Sequence, residues 1–219
     1  MSTPAETVKK LRELSGAPMM ECKKALDEAG GDLEKAFTIL RKRGQAAAAK
    51  KASRVASEGV VGTYIHAGGK IGVIVEVNSE TDFVGRTDDF QELVKDVAMH
   101  IAAADPRFVR REEVTEEDLA REREIYRGQV LAEGKPDHLV DRIVQGKMEK
   151  FYSDNVLLEQ PFVKNPDQTV GEMIAERVAT IGENIQVRRF VRYKLGEGIE
   201  KKGADFAAEV AAQVSQAAG

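Results

Sequence analysis

The sequence predicts an α+β protein, and three observations carry this prediction. Apolar residues recur at helical spacing through the first 44 residues and again in the second half of the chain. Between these stretches the spacing changes to two, because residues 61–65 and 71–77 alternate in the way of strands. The same alternation returns only at 185–195. We therefore expect a small antiparallel sheet that closes over a long helical insertion.

The first 44 residues are predicted to form three short helices that pack into a bundle. Each apolar run ends on a glycine suited to the left-handed cap conformation, at Gly16, Gly30 and Gly44, and Asp32 can cap the third helix. The stretch QAAAAKKASR that follows is basic and has no apolar face, which predicts a linker over 45–56. The three apolar stripes are Val8 and Leu11, then Cys22, Leu26 and Ala29, then Leu33, Phe37 and Leu40.

Residues 57–200 are predicted to form the α+β core. A turn at Gly68 and Gly69 joins the first two strands into an antiparallel hairpin. The third strand is predicted to have an apolar and a basic face. These faces are Ile185, Val187, Val191, Tyr193 and Leu195 on one side, and Arg188, Arg192 and Lys194 on the other.

The insertion between the second and third strands is predicted to be helical. One stripe starts at Phe90 and ends at Ile101. A helical hairpin follows over about 115–157, with Thr115 as its first cap and a turn at 134–136. Thr169 begins a capping box for the next helix. The tail, 201–219, is predicted to be a short C-terminal helix with the stripe Phe206, Val210 and Val214.

The amino-acid composition excludes several classes of protein. The single cysteine, Cys22, excludes an intramolecular disulfide framework. The 33 basic and 37 acidic residues nearly balance, which favours a protein partner over direct nucleic-acid binding. We find neither a signal peptide nor an apolar run of about 18 residues, so we expect a cytoplasmic location and no membrane contact.

The sequence offers no pattern typical of catalysis. Gly68, Gly69 and Lys70 lack the spacing of a phosphate-binding loop. The only histidines, His66, His100 and His138, are too far apart for a local metal motif. In a chain with 32% charged residues, pairs of carboxylates arise by chance. We therefore expect no enzyme, no bound metal and no cofactor.

Three stretches of the sequence form long, specific blocks. They are VKKLRELSGAPMMECKKALDEAGGDLEKA at 8–36, EVNSETDFVGR at 76–86, and LEQPFVKNPDQTVGEMI at 158–174 together with IGENIQVRRFVRYKLGEGIE at 181–200. These stretches resemble the elongation factor Ts family, and with the linker and tail the resemblance covers nearly the whole chain.

The resemblance implies a ubiquitin-associated-like N-terminal module and a guanine-nucleotide exchange factor without covalent chemistry. Such a factor binds elongation factor Tu, dislodges Mg²⁺ and promotes GDP release so that GTP can bind. Longer members of the family look as if they carry two sheet-containing copies of the core, whereas this chain has one. The resemblance therefore also implies a homodimer.

The resemblance assigns roles to particular residues. The T-D-F-V segment, here Thr81, Asp82, Phe83 and Val84, would be the wedge that displaces Mg²⁺ from the partner. Further partner contacts are implied for His100, Arg12, Met19 and Met20.

Spacing alone leaves alternatives open for these residues. Phe83 could be ordinary core at a strand end, with Asp82 in a solvent-facing turn. His100 could be a surface residue, and Met19 and Met20 could fill the core of the bundle.

Two other function classes remain. A nucleic-acid-binding accessory is suggested by Lys50, Lys51 and Arg54 and by the basic face of the third strand, and its binding should fall steeply with salt. A non-catalytic adaptor would use residues 1–44 alone.

Overall fold

The computed structural model describes residues 4–199, which form eight α-helices, a three-stranded sheet and a two-stranded sheet. The predicted α+β class is confirmed. The tail at 201–219, with its predicted helix, lies outside the described residues. The helices are α1 (Ala5–Ser15), α2 (Met19–Glu28), α3 (Leu33–Lys51), α4 (Asp82–Gly85), α5 (Asp88–Ala104), α6 (Glu116–Ala132), α7 (Asp137–Asn155) and α8 (Val170–Ile181). The strands are β1 (Glu58–Ile65), β2 (Ile71–Ser79), β3 (Pro161–Phe162), β4 (Asn165–Thr169) and β5 (Gln186–Lys194).

The first three helices form the predicted bundle around a small core of their own. Gly16 ends α1 in the left-handed conformation, and Gly30 and Gly31 turn the chain after α2 in the same region. Asp32 caps α3 by accepting a hydrogen bond from the backbone nitrogen of Lys35. The predicted stripes supply most of its buried residues, Ala25 and Ala36 were not predicted, and Ala29, Leu33 and Phe37 are only partly buried.

The predicted helix end at Gly44 is wrong, because α3 continues to Lys51. Much of the stretch predicted as a linker is therefore helical. Gly44 is buried, and a Cβ atom built on it would stand 3.5 Å from the Cβ of Ala179 on α8. The glycine lets two helices approach closely here rather than ending one of them.

The main sheet has the order β1-β2-β5, and both pairs are antiparallel. Its inner face packs against α5 and α8. The core between them contains Val73, Val75 and Val77 of β2, Phe90, Leu93 and Val97 of α5, and Val170, Ile174 and Val178 of α8. The predicted stripes of β2 and α5 are thereby confirmed.

The predicted faces of the third strand are wrong beyond Arg188. A β-bulge shifts the register of β2 and β5, so that Val77 pairs with Val187 while Glu76 pairs with Arg189. The extra residue exchanges the two faces. Arg192 consequently points toward the core side, where its guanidinium donates to the carbonyl oxygen of Ala102, while Val191, Tyr193 and Leu195 are exposed.

The helical hairpin forms as predicted from α6 and α7. The Thr115 hydroxyl accepts from the backbone nitrogen of Asp118, and Gly134 has the positive φ of 70° that the turn requires. Leu119, Val130, Val140, Val144, Met148 and Phe151 contribute to a separate core between the two helices.

Candidate partner-binding site

The turn that follows β2 presents an aromatic ring to solvent. Phe83, in the short helix α4, is 75% exposed. The alternative that Phe83 is ordinary core is therefore wrong. The ring is therefore a candidate for contact with a partner.

Close packing holds this turn against the sheet. Gly85 is buried, and a Cβ atom on it would stand 3.3 Å from the carbonyl oxygen of Gly59 in β1. The Gln91 side chain donates a hydrogen bond of 2.6 Å to the carbonyl oxygen of Gly85. Val84 is half-buried and packs against the main core. Phe83 thus projects from a turn whose other end is fixed.

Two loops hold each other at the start of the turn. The Glu183 carboxylate accepts hydrogen bonds from the backbone nitrogens of Glu80 and Thr81 and from the Thr81 hydroxyl, at 3.1, 3.0 and 2.7 Å. In return, the Glu80 carboxylate accepts from the backbone nitrogen of Asn184 at 2.6 Å. That hydrogen bond, with the positive charge of Arg54, lowers the pKa of Glu80.

Sequence reasoning missed Glu183. It lies 102 positions from Thr81, and its neighbours carry only the signal of a helix end at Gly182. Only the folded chain brings the two loops together.

Asp82 is half-buried in the first turn of α4, where its carboxylate accepts from the Arg86 guanidinium at 2.5 Å. The four predicted residues from Thr81 to Val84 thus occupy one continuous turn. An ion pair this exposed contributes little stability, so the carboxylate is available to a partner at small cost.

His100 lies inside the core rather than on the surface, so the surface alternative is wrong. The backbone nitrogen of Val163 donates to its Nδ1 at 3.3 Å, which puts the proton on Nε2, and Nε2 donates to the Gln160 amide oxygen at 3.0 Å. Burial lowers the pKa of His100, so the neutral ring is favoured.

His100 and the Phe83 turn are separate features, because Phe83 belongs to α4 and His100 lies near the end of α5. His100 stands twelve residues beyond Asp88, the first residue of α5, which is about 18 Å along the helix axis. Because the ring is wholly buried, direct contact with a partner would require the β3 segment above it to move.

The bundle carries a second exposed apolar group. Met19 and Met20, at the start of α2, are 43% and 63% exposed, which rules out core filling as their role. Leu14 and Arg12, both on α1, are exposed as well. Flexible thioether side chains suit an adaptable contact surface.

The bundle is docked on the core through α3 and α8. Arg41 and Gln45 of α3 both donate to the Glu172 carboxylate, at 3.0 Å each. Glu172 also completes the predicted capping box, because it accepts from the backbone nitrogen of Thr169 while the Thr169 hydroxyl accepts from the Glu172 nitrogen.

The segment after α3 is anchored as well. The carbonyl oxygen of Arg54 accepts from the Asn184 amide at 2.7 Å, and that of Ala52 accepts from the Gln186 amide at 3.0 Å. The loop that holds the Phe83 turn therefore also holds the end of the bundle.

The basic face that suggested nucleic-acid binding does not exist as one surface. Arg192 is turned toward the core, where it also pairs with Asp105, whereas Arg188 donates to the Glu76 carboxylate on the opposite face of the sheet. Arg188 and Arg189 together lower the pKa of Glu76 to about 2.

Among the residues that the structure describes, no helix is both long and apolar enough to cross a membrane. Nor does any group of three His, Cys, Asp or Glu side chains within 4–199 have an arrangement that could hold a metal ion.

These features describe an α+β protein whose candidate site combines an exposed ring on an anchored turn with a docked helical module. The family model described as Elongation factor TS matches residues 21–197. The chain belongs to the elongation factor Ts family.

Close relatives support this membership over almost the whole chain. Elongation factor Ts of Heliobacterium modesticaldum is 62% identical, and the match covers 97% of this chain and 99% of the relative. The corresponding protein of Carboxydothermus hydrogenoformans is 60% identical over 95% of this chain and 96% of its own length. That of Geobacter metallireducens is 61% identical over 97% and 98%.

Proposed function

We propose that this chain is a translation elongation factor of the Ts type, a guanine-nucleotide exchange factor without covalent chemistry. It binds elongation factor Tu in the cytoplasm, displaces Mg²⁺ and promotes GDP release so that GTP can bind. Family membership supports the exchange role. The single observation that supports the site is the 75% exposure of Phe83 on a turn anchored at both ends.

The proposed mechanism uses the ring as a wedge. A GTP-binding protein holds GDP through a phosphate loop and a Mg²⁺ ion. Insertion of the Phe83 ring beside that metal separates the groups that hold it, and burial of the ring contributes about 2 kcal/mol to the complex. Asp82 stands beside the ring and competes for hydrogen bonds near the displaced metal, while Thr81 and Val84 hold the turn.

The exchange factor does not determine which nucleotide rebinds to the partner. Because linkage is reciprocal, the factor and GDP weaken each other's binding by the same ratio. The excess of GTP over GDP then decides which nucleotide rebinds.

The bundle supplies the second contact. Its three helices are proposed to be a ubiquitin-associated-like module that docks on the nucleotide-binding domain through Arg12, Met19 and Met20. His100 is proposed to act on the partner once the β3 segment moves aside. The exposure of both methionines supports the first part of this proposal.

The outer face of the main sheet supports the proposal that two copies associate. Ile74, in the central strand, is 47% exposed, and Tyr193, on the same face of β5, is 67% exposed. Val61, Ile65, Val191 and Leu195 extend the same exposed apolar face. A second protomer that covers this face would bury a patch that water otherwise contacts.

The test is release of a fluorescent GDP analogue from elongation factor Tu, with and without this protein. Wild type should accelerate release strongly, and Phe83→Ala should remove most of the acceleration. Val55→Ala is the matched control, because Val55 is an exposed apolar residue outside the turn.

Salt distinguishes the exchange function from a nucleic-acid accessory. Insertion of an apolar ring should keep most of its effect at high salt, whereas phosphate contacts would lose affinity steeply. If wild type does not accelerate release at all, the proposed function is wrong. If wild type accelerates release and Phe83→Ala accelerates it equally, the wedge is not Phe83.

A further inference from the structure

One side chain of the loop between α8 and β5 contacts the start of the Phe83 turn. Glu183 accepts three hydrogen bonds, and all three come from the two residues that directly precede Asp82 and Phe83. One carboxylate oxygen accepts both backbone N–H groups, and the other accepts the Thr81 hydroxyl. Glu183 therefore contacts the backbone that carries the ring without being part of the turn.

This contact begins where the sheet stops determining the path of the chain. The pairing of β1 with β2 ends at Ser79, so the backbone nitrogens of Glu80 and Thr81 lie beyond the ladder of strand hydrogen bonds. The Ser79 hydroxyl donates to the carbonyl oxygen of Thr81 at 2.9 Å. The Glu183 carboxylate accepts from the backbone N–H groups of Glu80 and Thr81. The direction of α4 is thus set by side chains.

A second contact keeps the two loops together without Glu183. The Glu80 carboxylate accepts from the backbone nitrogen of Asn184, and the Asn184 amide donates to the carbonyl oxygen of Arg54. Loss of the Glu183 carboxylate should therefore leave the fold intact and release only the backbone at 80–81. Stability and ring orientation can be measured separately.

We propose that Glu183 is a positioning residue, which holds the backbone at Glu80 and Thr81 so that Phe83 enters the partner in the orientation that displaces the nucleotide. The proposal rests on the proposed exchange function. It assigns to Glu183 no contact with the partner.

The experiment measures GDP release from elongation factor Tu as a function of the concentration of the full chain. This separates the maximal release rate from the half-saturating concentration. Glu183→Ala should lower the maximal rate about tenfold, which corresponds to about 1.4 kcal/mol, the scale of one hydrogen bond to a charged group, and change the half-saturating concentration little. Glu112→Ala is the control, because Glu112 is an exposed glutamate remote in sequence from the turn.

Glu183→Gln should recover most of the rate. Its amide oxygen can accept both backbone N–H groups, and its NH₂ group can donate to the Thr81 hydroxyl oxygen. In a Phe83→Ala background, Glu183→Ala should have no further effect, because Glu183 acts through the ring.

The outcomes separate this proposal from the one on which it rests. If Phe83→Ala removes the acceleration but Glu183→Ala retains the wild-type maximal rate, positioning by Glu183 is wrong and the wedge stands. If Phe83→Ala leaves the rate unchanged, the wedge is wrong and the role of Glu183 falls with it. A rate loss that persists in the Phe83→Ala background, or that follows partial unfolding at the assay temperature, overturns positioning in favour of a general structural role.

Discussion

Gly44 of α3 lies against Ala179 of α8, with 3.5 Å between the Ala179 methyl carbon and a Cβ atom built on the glycine. This is an ordinary van der Waals distance, so one methyl group fits and a larger side chain does not.

Gly44→Ala should stabilise the protein by about 0.5–1 kcal/mol, because alanine loses less backbone entropy in a helix and the added methyl fits the contact. Gly44→Leu should destabilise it by about 1–3 kcal/mol, because the side chain would push α3 away from α8. Urea unfolding measures both free energies.

Gly128 in the middle of α6 is the matched control, since a Cβ atom built there meets nothing within 4 Å. Both Gly128→Ala and Gly128→Leu should stabilise the protein. If Gly44→Leu stabilises to the same extent, the close contact of α3 with α8 is not present in solution.

Phe83→Ala should leave stability nearly unchanged, within about 0.5 kcal/mol, because three quarters of the side chain is already in water. Phe90→Ala, at a wholly buried phenylalanine, should cost about 3–5 kcal/mol. Thermal melting of the two variants measures the difference. A large loss of stability in Phe83→Ala would mean that the ring packs against this chain and is not free for a partner.

The buried His100 should make stability depend on pH near neutrality. Its pKa is lowered in the folded state, so between that pKa and the ordinary value of about 6.5 the unfolded chain binds more protons. Stability is therefore fully present above about pH 6.5 and is lost as pH falls below it, with a slope of at most about 1.4 kcal/mol per pH unit.

Unfolding by urea between pH 7.5 and 5.5 checks this dependence. His100→Gln should flatten the profile in that window, whereas His138→Gln, at an exposed histidine of α7, should not. An unchanged slope in His100→Gln would exclude this histidine as its source.

Ile74→Lys should shift the protein toward monomers if the outer face of the sheet joins two copies. A charged side chain in the centre of an apolar interface would be desolvated without a partner. Sedimentation equilibrium measures the association. Leu131→Lys is the control, because Leu131 is similarly exposed but lies near the end of the helical hairpin. If wild type is already monomeric at high concentration, the homodimer proposal is wrong.

Local signals predicted most of the elements. The Thr169 capping box, the glycine end at Gly16 and the turn before α7 depend on residues close together in the sequence, and each formed as expected. The apolar spacing of α5 and β2 also identified the main core.

The errors and omissions came from contacts between distant segments. Nothing around Gly44 indicates that α8 will pack against it, and nothing near Arg188 indicates the bulge, which appears only when β5 pairs with β2. The burial of His100 depends on Gln160, and the role inferred for Glu183 depends on Thr81, each contributed by another part of the chain.

The anchoring of Ala52 and Arg54 to the loop after α8 has a consequence for affinity. On the proposed function, the bundle and the Phe83 turn are two binding modules joined by hydrogen bonds rather than by a flexible linker. Once the bundle has bound, the ring acts at an effective concentration set by geometry rather than by diffusion.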